Sequence, residues 1–246
     1  MNERIFFAAG SSPALDIAVR ELKMRGMTFA QKPTKAVTHL LLPVPCREDV
    51  SETLKKLSLD VTILGGFTDR PELAGYRCLD LLRDEGYLAA NARITAQCAM
   101  SMAANALSVT WDDCPVLVIG WGRIGKCLVQ LLKNCGAEVS AAARKERDRA
   151  MIAALGMEAE DPGKLNFILK RYRVIFNTVP YPVLSGEQVE HCRGDCLKMD
   201  LASRPGIAGK DVIAARGLPS KCAPESSGRL IARTVLRLCA QKEGTS

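Results

Sequence analysis

The chain has ten cysteines but no CxxC pair, and only two histidines. The cysteines are scattered at positions 46, 78, 98, 114, 127, 135, 192, 196, 222 and 239. Zinc modules gather four ligands at regular spacing; His191, Cys192 and Cys196 lack a fourth, so no metal is expected. Thiols without a disulfide framework suit a reducing compartment, and Cys127 reads as a small hydrophobe on a buried-looking helix. A cytoplasmic location is expected. No apolar run approaches the roughly 18 residues that a membrane span needs. Glu3 and Arg4 precede only the short stretch Ile5–Ala9, which is not the pattern of a signal peptide. Aromatic residues make up 5% of the chain and the +7 formal charge is dispersed, so nucleic-acid binding is not expected. What is present, 48% hydrophobic and 25% charged residues over 246 positions, is ordinary globular composition with room for one large or two small α/β domains. The mild positive balance suits anionic substrates and a phosphorylated cofactor.

The chain is organised around residues 116–144, VLVIGWGRIGKCLVQLLKNCGAEVSAAAR. Val116–Ile119 is a β-branched apolar run that predicts a buried parallel strand. Gly120, Gly122 and Gly125 follow in G-x-G-x-x-G spacing, with Trp121, Arg123 and Ile124 in the same turn. A helix then shows Ile124, Leu128, Leu131 and Leu132 on one side and stops at Gly136, before a second strand from Glu138 to Ala142. Gly120 permits the tight turn, Gly122 lets backbone approach a pyrophosphate, and Gly125 lets helix pack on strand. The helix N-terminus offers N–H groups and the positive end of its dipole to the phosphates. The alternative is a structural βαβ unit merely tightened by glycine. An NAD-binding unit places an acid about twenty residues beyond the glycines, to bond the ribose 2′-hydroxyl. Here the second strand ends Ala143-Arg144-Lys145. An arginine fork and a lysine charge suit a 2′-phosphate, so NADP is expected over NAD unless both are solvated loop charges.

Before this stretch, Arg4–Ala9, Thr38–Val44 and Asp60–Gly65 predict parallel-type strands. Helices are predicted over 14–26, with a stripe of Leu15, Val19 and Leu22, and over Glu52–Leu57. They make a first α/β domain of residues 1–92. Thr95–Leu107 is alanine-rich and predicts a nearly buried connector helix into a second domain, 93–225. Within that domain Glu146–Leu155 predicts a helix, and Val174–Asn177 and Cys196–Leu201 predict strands. Their ends carry Asn177-Thr178-Val179-Pro180 and Leu201-Ala202-Ser203-Arg204-Pro205, at the edge where parallel sheets bind ligands. The last helix, 226–242, is expected to pack back on the first domain, capped by Ser226 or Ser227. Its Leu230, Thr234, Val235 and Leu238 face inward, and Arg229, Arg233 and Arg237 lie on a solvated face.

Read together, VIGWGRIGKCLVQLL (118–132), Ala143-Arg144, IFNTVP (175–180), MDLASRPG (199–206) and GLPSKCAPESSG (217–228) resemble the A-subunit family of dipicolinate synthase. LLRDEGYLAANARITAQCAM (81–100) and PVP at 43–45 match less specifically. The resemblance implies two doubly wound parallel-sheet α/β domains, the second a Rossmann domain. The connector and last helices would cross the cleft, as in the 2-hydroxyacid dehydrogenases. It implies a cytoplasmic oxidoreductase of spore formation, oxidising dihydrodipicolinate to the aromatic dicarboxylate with NADP or NAD. The partner would be a second, flavoprotein-like chain, and a homo-oligomer is an open possibility. Asn177, Thr178, Val179, Pro180, Leu201 and Ala202 would complete the cofactor site. Ser203 and Arg204 would meet the dicarboxylate, with Asn91, Arg93 and Thr95 opposite and Lys221 nearby.

The chain departs from the family pattern in an N-terminal half shorter than usual and in two motifs. Where the family has Pro-Thr-x-Glu-Gly it reads Ile94-Thr95-Ala96-Gln97-Cys98, and Glu225 replaces a lysine in the last loop. These departures favour the alternative of a non-catalytic NADP-binding scaffold or regulatory paralogue. His39 and His191 do not reproduce the His–carboxylate pair of a 2-hydroxyacid dehydrogenase, which makes that third reading the weakest. Catalytic residues stay unassigned; water or Asp200 is the expected proton acceptor.

Overall fold

The computed structural model describes residues 4–240. The chain runs β1 (Ile5–Ala8), α1 (Pro13–Met24), β2 (Thr28–Phe29), β3 (His39–Leu41), α2 (Ser51–Leu54), β4 (Thr62–Gly65) and β5 (Arg77–Asp80). After α3 (Glu85–Ala106) come β6 (Pro115–Ile119), α4 (Arg123–Asn134), β7 (Glu138–Ala142), α5 (Glu146–Ala154) and β8 (Glu158–Glu160). The remainder is β9 (Val174–Asn177), α6 (Gly186–Glu190), β10 (Leu197–Asp200), β11 (Val212–Ala214), α7 (Leu218–Cys222) and α8 (Pro224–Ala240). Two compact units result: one gathers the described residues up to Asn91 and those from Pro219 onward, the other is Ala92–Leu218.

The first unit is a five-stranded parallel sheet in the order β2-β1-β3-β4-β5. Leu40 and Leu41 on β3 and Ile63 and Leu64 on β4 are fully buried, as parallel strands covered on both faces require. α8 lies along α1, so close that a Cβ on Gly228 would stand 2.6 Å from the Ile17 side chain and 2.7 Å from the Ala14 carbonyl. The helix starts at Pro224, not at 226, so Ser226 and Ser227 lie inside it and Ser227 is buried rather than capping. Its expected end at 242 falls outside the described residues. Leu230, Thr234 and Val235 face the core as expected. The arginine face is not simply solvated: Arg229 pairs with Glu225 (2.9 Å) and Glu21 (3.3 Å), and Arg237 with Asp84 (2.6 Å).

The connector helix begins well before Thr95. Asp84 accepts the Tyr87 N–H at 2.7 Å, and this capping bond starts α3 at Glu85. Only one side is buried: Ala92, Thr95, Ala96, Ala99 and Ala103 are inside, while Arg93 and Gln97 are exposed.

The second unit is a six-stranded parallel sheet in the order β11-β10-β9-β6-β7-β8. The chain starts at β6, moves one way through β7 and β8, then returns to the other side for β9, β10 and β11. This is the doubly wound dinucleotide-binding order, and the reversal opens a crevice beyond the C-terminal ends of β6 and β9. Val116–Ile119 are fully buried in the middle of it. Among the described residues, no helix is long and apolar enough to cross a membrane.

Candidate dinucleotide site

The three glycines of the turn after β6 have separable roles. Gly120 sits at φ 110°, in the left-handed region, and a Cβ there would run into the Thr178 hydroxyl and lie 2.9 Å from Val179. A Cβ on Gly125 would overlap the Gly120 carbonyl, which is what lets α4 pack onto β6. Gly122 is different: nothing lies within 4 Å of the Cβ it lacks. It is the N-cap of α4, with no side chain to bond the first-turn N–H groups. Gly120 and Gly125 are needed by the fold; the open space at Gly122, beside a helix N-terminus, fits a pyrophosphate.

The other residues of the turn are distributed unevenly. Arg123 is exposed and Ile124 half-buried. The Trp121 ring lies 5.8 Å from the Lys126 ammonium and lines a cavity of about 520 Å³ with Val129, Met151 and Leu155. Beyond β7, Arg144 and Lys145 are exposed. Arg149, which the sequence did not single out, donates through Nη1 to the Ala143 and Arg144 carbonyls, both at 2.8 Å. One guanidinium thus fixes the backbone that presents both cations.

At the ends of β9 and β10 the structure corrects two expectations. Asn177 is fully buried, and its amide is engaged within the protein. Nδ2 donates to the Val179 carbonyl (3.0 Å) and to Asp200 (2.9 Å), and Oδ1 accepts the Val179 N–H (2.9 Å). It shapes the loop and has no group left for a ribose. Asp200 is no proton acceptor either. It is 2% exposed, and its carboxylate accepts from Asn177 Nδ2, the Ala202 N–H (3.1 Å), the Gly206 N–H (2.7 Å) and the Ile207 N–H (3.3 Å). Four donors satisfy its two oxygens within the protein. Asp200 thereby ties the loop after β9 to the loop after β10.

That second loop carries the expected substrate residues. Leu201 and Ala202 are buried, and the Ala202 carbonyl accepts from Arg216 Nε at 2.9 Å. Ser203 and Arg204 stand exposed beyond them. Thr178 is half-buried and bonded through its hydroxyl to the Ile119 carbonyl (3.1 Å), Val179 is half-buried and Pro180 exposed. The structure therefore gathers the glycine turn, Thr178–Pro180 and Leu201–Arg204 at one edge of a single sheet. Asn91 and Thr95 lie on α3, half-buried and buried respectively, and Lys221 is exposed on α7. Glu225 is engaged by Arg20 and Arg229, at 2.9 Å each, so its charge is balanced inside the first unit. His39 stacks on Phe6 (4.8 Å) and bonds Thr38 (2.8 Å), and His191 closes α6. Among the described residues no group of three or more His, Cys, Asp or Glu is placed to hold a metal.

No family model matches the chain. The A-type subunit of dipicolinate synthase from Bacillus subtilis is 27% identical over 155 residues, 60% of this chain and 52% of that protein. The chain thus aligns with about half the length of this curated relative. A solved structure of dipicolinate synthase from Bacillus subtilis superposes with a TM-score of 0.84 at 19% identity, over 100% of this chain and 98% of that one. The chain resembles the A-type subunit of dipicolinate synthase. The transhydrogenase of Sinorhizobium meliloti also superposes, with a TM-score of 0.75 at 13% identity over 97% of this chain and 94% of that one. The fold shared with these structures is one of two parallel-sheet α/β units.

Proposed function

We propose that the chain is an NADP-preferring oxidoreductase that aromatises a dihydropyridine dicarboxylate, as its likeness to dipicolinate synthase suggests. The observation that carries the reading is the pairing of an open Gly122 at the α4 N-terminus with Arg144 and Lys145, held at the end of β7 by Arg149. The first takes a pyrophosphate, the second a 2′-phosphate. Bound there, the nicotinamide supplies the hydride acceptor. The Thr178–Pro180 loop shapes its seat, and Ser203 and Arg204 offer a hydroxyl and a guanidinium fork to a substrate carboxylate. With Asp200 engaged by four donors, the ring proton leaves to water. A cytoplasmic setting, which the ten unpaired cysteines suit, and a flavoprotein-like partner belong to the same reading.

Fluorescence titration with NADPH and NADH tests the cofactor. NADPH should bind more tightly, and Arg144→Ala should erase the difference; tighter NADH binding in the wild type sinks the preference. Oxidation of dihydrodipicolinate, assayed with NADP and the flavoprotein-like partner, tests the reaction. Binding without turnover would leave the scaffold reading, for which Glu225 no longer argues because its partners are Arg20 and Arg229.

A further inference from the structure

The sheet of the first unit has a C-terminal edge of its own, where two loops are bonded to each other. One follows β3 and includes Pro43 and Arg47; the other follows β4 and includes Gly66, Phe67 and Thr68. The Gly66 N–H donates to the Pro43 carbonyl (3.1 Å), and the Cys46 N–H to the Gly66 carbonyl (2.9 Å). Thr68 donates through its N–H (2.9 Å) and hydroxyl (3.2 Å) to Asp80, and Arg70 donates to the Glu48 carbonyl (2.9 Å). There is no slack between the loops: a Cβ on Gly66 would lie 2.9 Å from Val44 and 3.0 Å from Leu82.

On this framework Phe67 is held at φ 61°, in the left-handed region where a bulky L-residue is strained. Core packing does not account for it, because the Phe67 side chain points outward and is 46% exposed. Glycine would fit the backbone without strain, yet an aromatic ring stands here, with the Arg47 guanidinium 5.7 Å from its centroid. The neighbouring acids are engaged elsewhere. Glu48 accepts the Ser11 N–H (3.1 Å), Asp69 pairs with Arg83 (2.8 Å), and Asp80 holds Thr68 and the Leu82 N–H (2.8 Å). A strained outward ring beside a cation, on a rigid sheet edge, is the kind of feature that persists for a ligand.

We propose that Arg47 and Phe67 form a binding platform in the first unit for a planar aromatic carboxylate, its ring on Phe67 and a carboxylate on Arg47. The class of ligand rests on the dicarboxylate reading above. An offset ring pair supplies affinity that an aliphatic acid cannot reproduce, and the guanidinium supplies a planar fork.

The test is calorimetric titration of the full chain, with NADPH present, using pyridine-2,6-dicarboxylate and the ring-free glutarate as probes. The wild type should bind the pyridine compound more tightly. Phe67→Gly and Phe67→Asn both accept a left-handed backbone, so they should melt at or above the wild-type temperature. Both should weaken pyridine dicarboxylate about tenfold, a typical loss for one stacked ring, and leave glutarate unchanged. Arg47→Met should weaken both probes. Wild-type affinity for pyridine dicarboxylate in both Phe67 variants, or equal loss of both probes, overturns the platform and leaves the dicarboxylate reading standing. A wild type that binds NADPH but neither probe overturns that reading, and the platform with it.

Discussion

Gly10 and Gly120 each follow the first strand of a unit, at φ 91° and φ 110°, and each precedes a helix of 12 residues. In the second unit the N-cap is Gly122, and nothing lies within 4 Å of its absent Cβ. In the first, Ser12 caps α1 by accepting the Leu15 N–H, and the Glu48 carboxylate accepts the Ser11 N–H at 3.1 Å. A Cβ on Gly10 would lie 2.9 Å from Pro43 and 3.0 Å from Glu48 Oε2. The fold offers an anion crevice at both turns. The chain closes one with its own hydroxyl and carboxylate and leaves the other open.

The sharpest way to break this contrast is to put a carboxylate into the open turn. Gly122→Asp should weaken NADPH by more than about a hundredfold through like-charge repulsion, with little change in melting temperature. Normal NADPH titration of that variant would mean that the turn holds no phosphate. Gly125→Ala, which meets the Gly120 carbonyl, should instead cost about 1–3 kcal/mol of stability, read as a fall in melting temperature. Asp200→Asn turns an acceptor toward N–H donors and should cost about 1–3 kcal/mol. Faster amide exchange from Ala202 to Ile207 would report it, and unchanged protection there would refute the tie between the two loops.

Arg149→Met should weaken NADPH about tenfold and NADH less than about twofold, since charge-assisted bonds to the Arg144 backbone are lost. An equal loss of both cofactors would make Arg149 merely structural. Glu48→Ala should lower stability by about 1 kcal/mol while NADPH stoichiometry stays at one per chain. A second bound dinucleotide would show that Glu48 alone keeps the first unit closed.

The smallest effects set the two units against each other in pH. The Arg237 guanidinium holds the Asp84 carboxyl below the usual range, so its stabilisation is present above the ordinary carboxylate pKa and is lost as pH falls through the lowered value. Burial, aided by the Glu158 charge, pushes Glu160 up, so the folded state prefers it protonated and stability is lost as pH rises through the raised value. At neutral pH Asp84→Asn should therefore destabilise by less than about 1 kcal/mol, and Glu160→Gln should stabilise slightly. Both differences should vanish in acid. Trp111 and Trp121, both in the second unit, report its unfolding by fluorescence; amide exchange in β4 reports the first. A Glu160→Gln variant less stable at neutral pH would overturn the sign.

Long apolar strands and the glycine turn were readable because burial on both faces writes a continuous hydrophobic run, as in Val116–Ile119 and Val174–Phe176. β2 and β8 were not, because an edge strand of two or three residues such as Glu158–Glu160 carries no such run. The start of α3 was hidden in the polar stretch Arg83–Gly86, where only the capping bond of Asp84 decides it. At the site, cation against acid at the end of β7 was visible in the residue types. Arg149 was not, since its targets are backbone carbonyls that leave no pattern. Asp200 was misread for a related reason: an acid at a strand end looks like a base until its burial and four donors are seen. Phe67 gave no signal at all, because backbone strain is a property of the fold and not of the residue.

The closeness of α8 to α1 carries a consequence for how the protein is made. Residues 92–218 are continuous, so the second unit needs no segment made after it. The first unit lacks the helix that lies along α1 until residues beyond 218 have been synthesised. Its early portion must therefore wait with the Ala14–Ile17 surface bare, an interval in which a chaperone or a misplaced helix competes for it. Gly228, where any side chain would strike Ile17, is the point at which that wait ends.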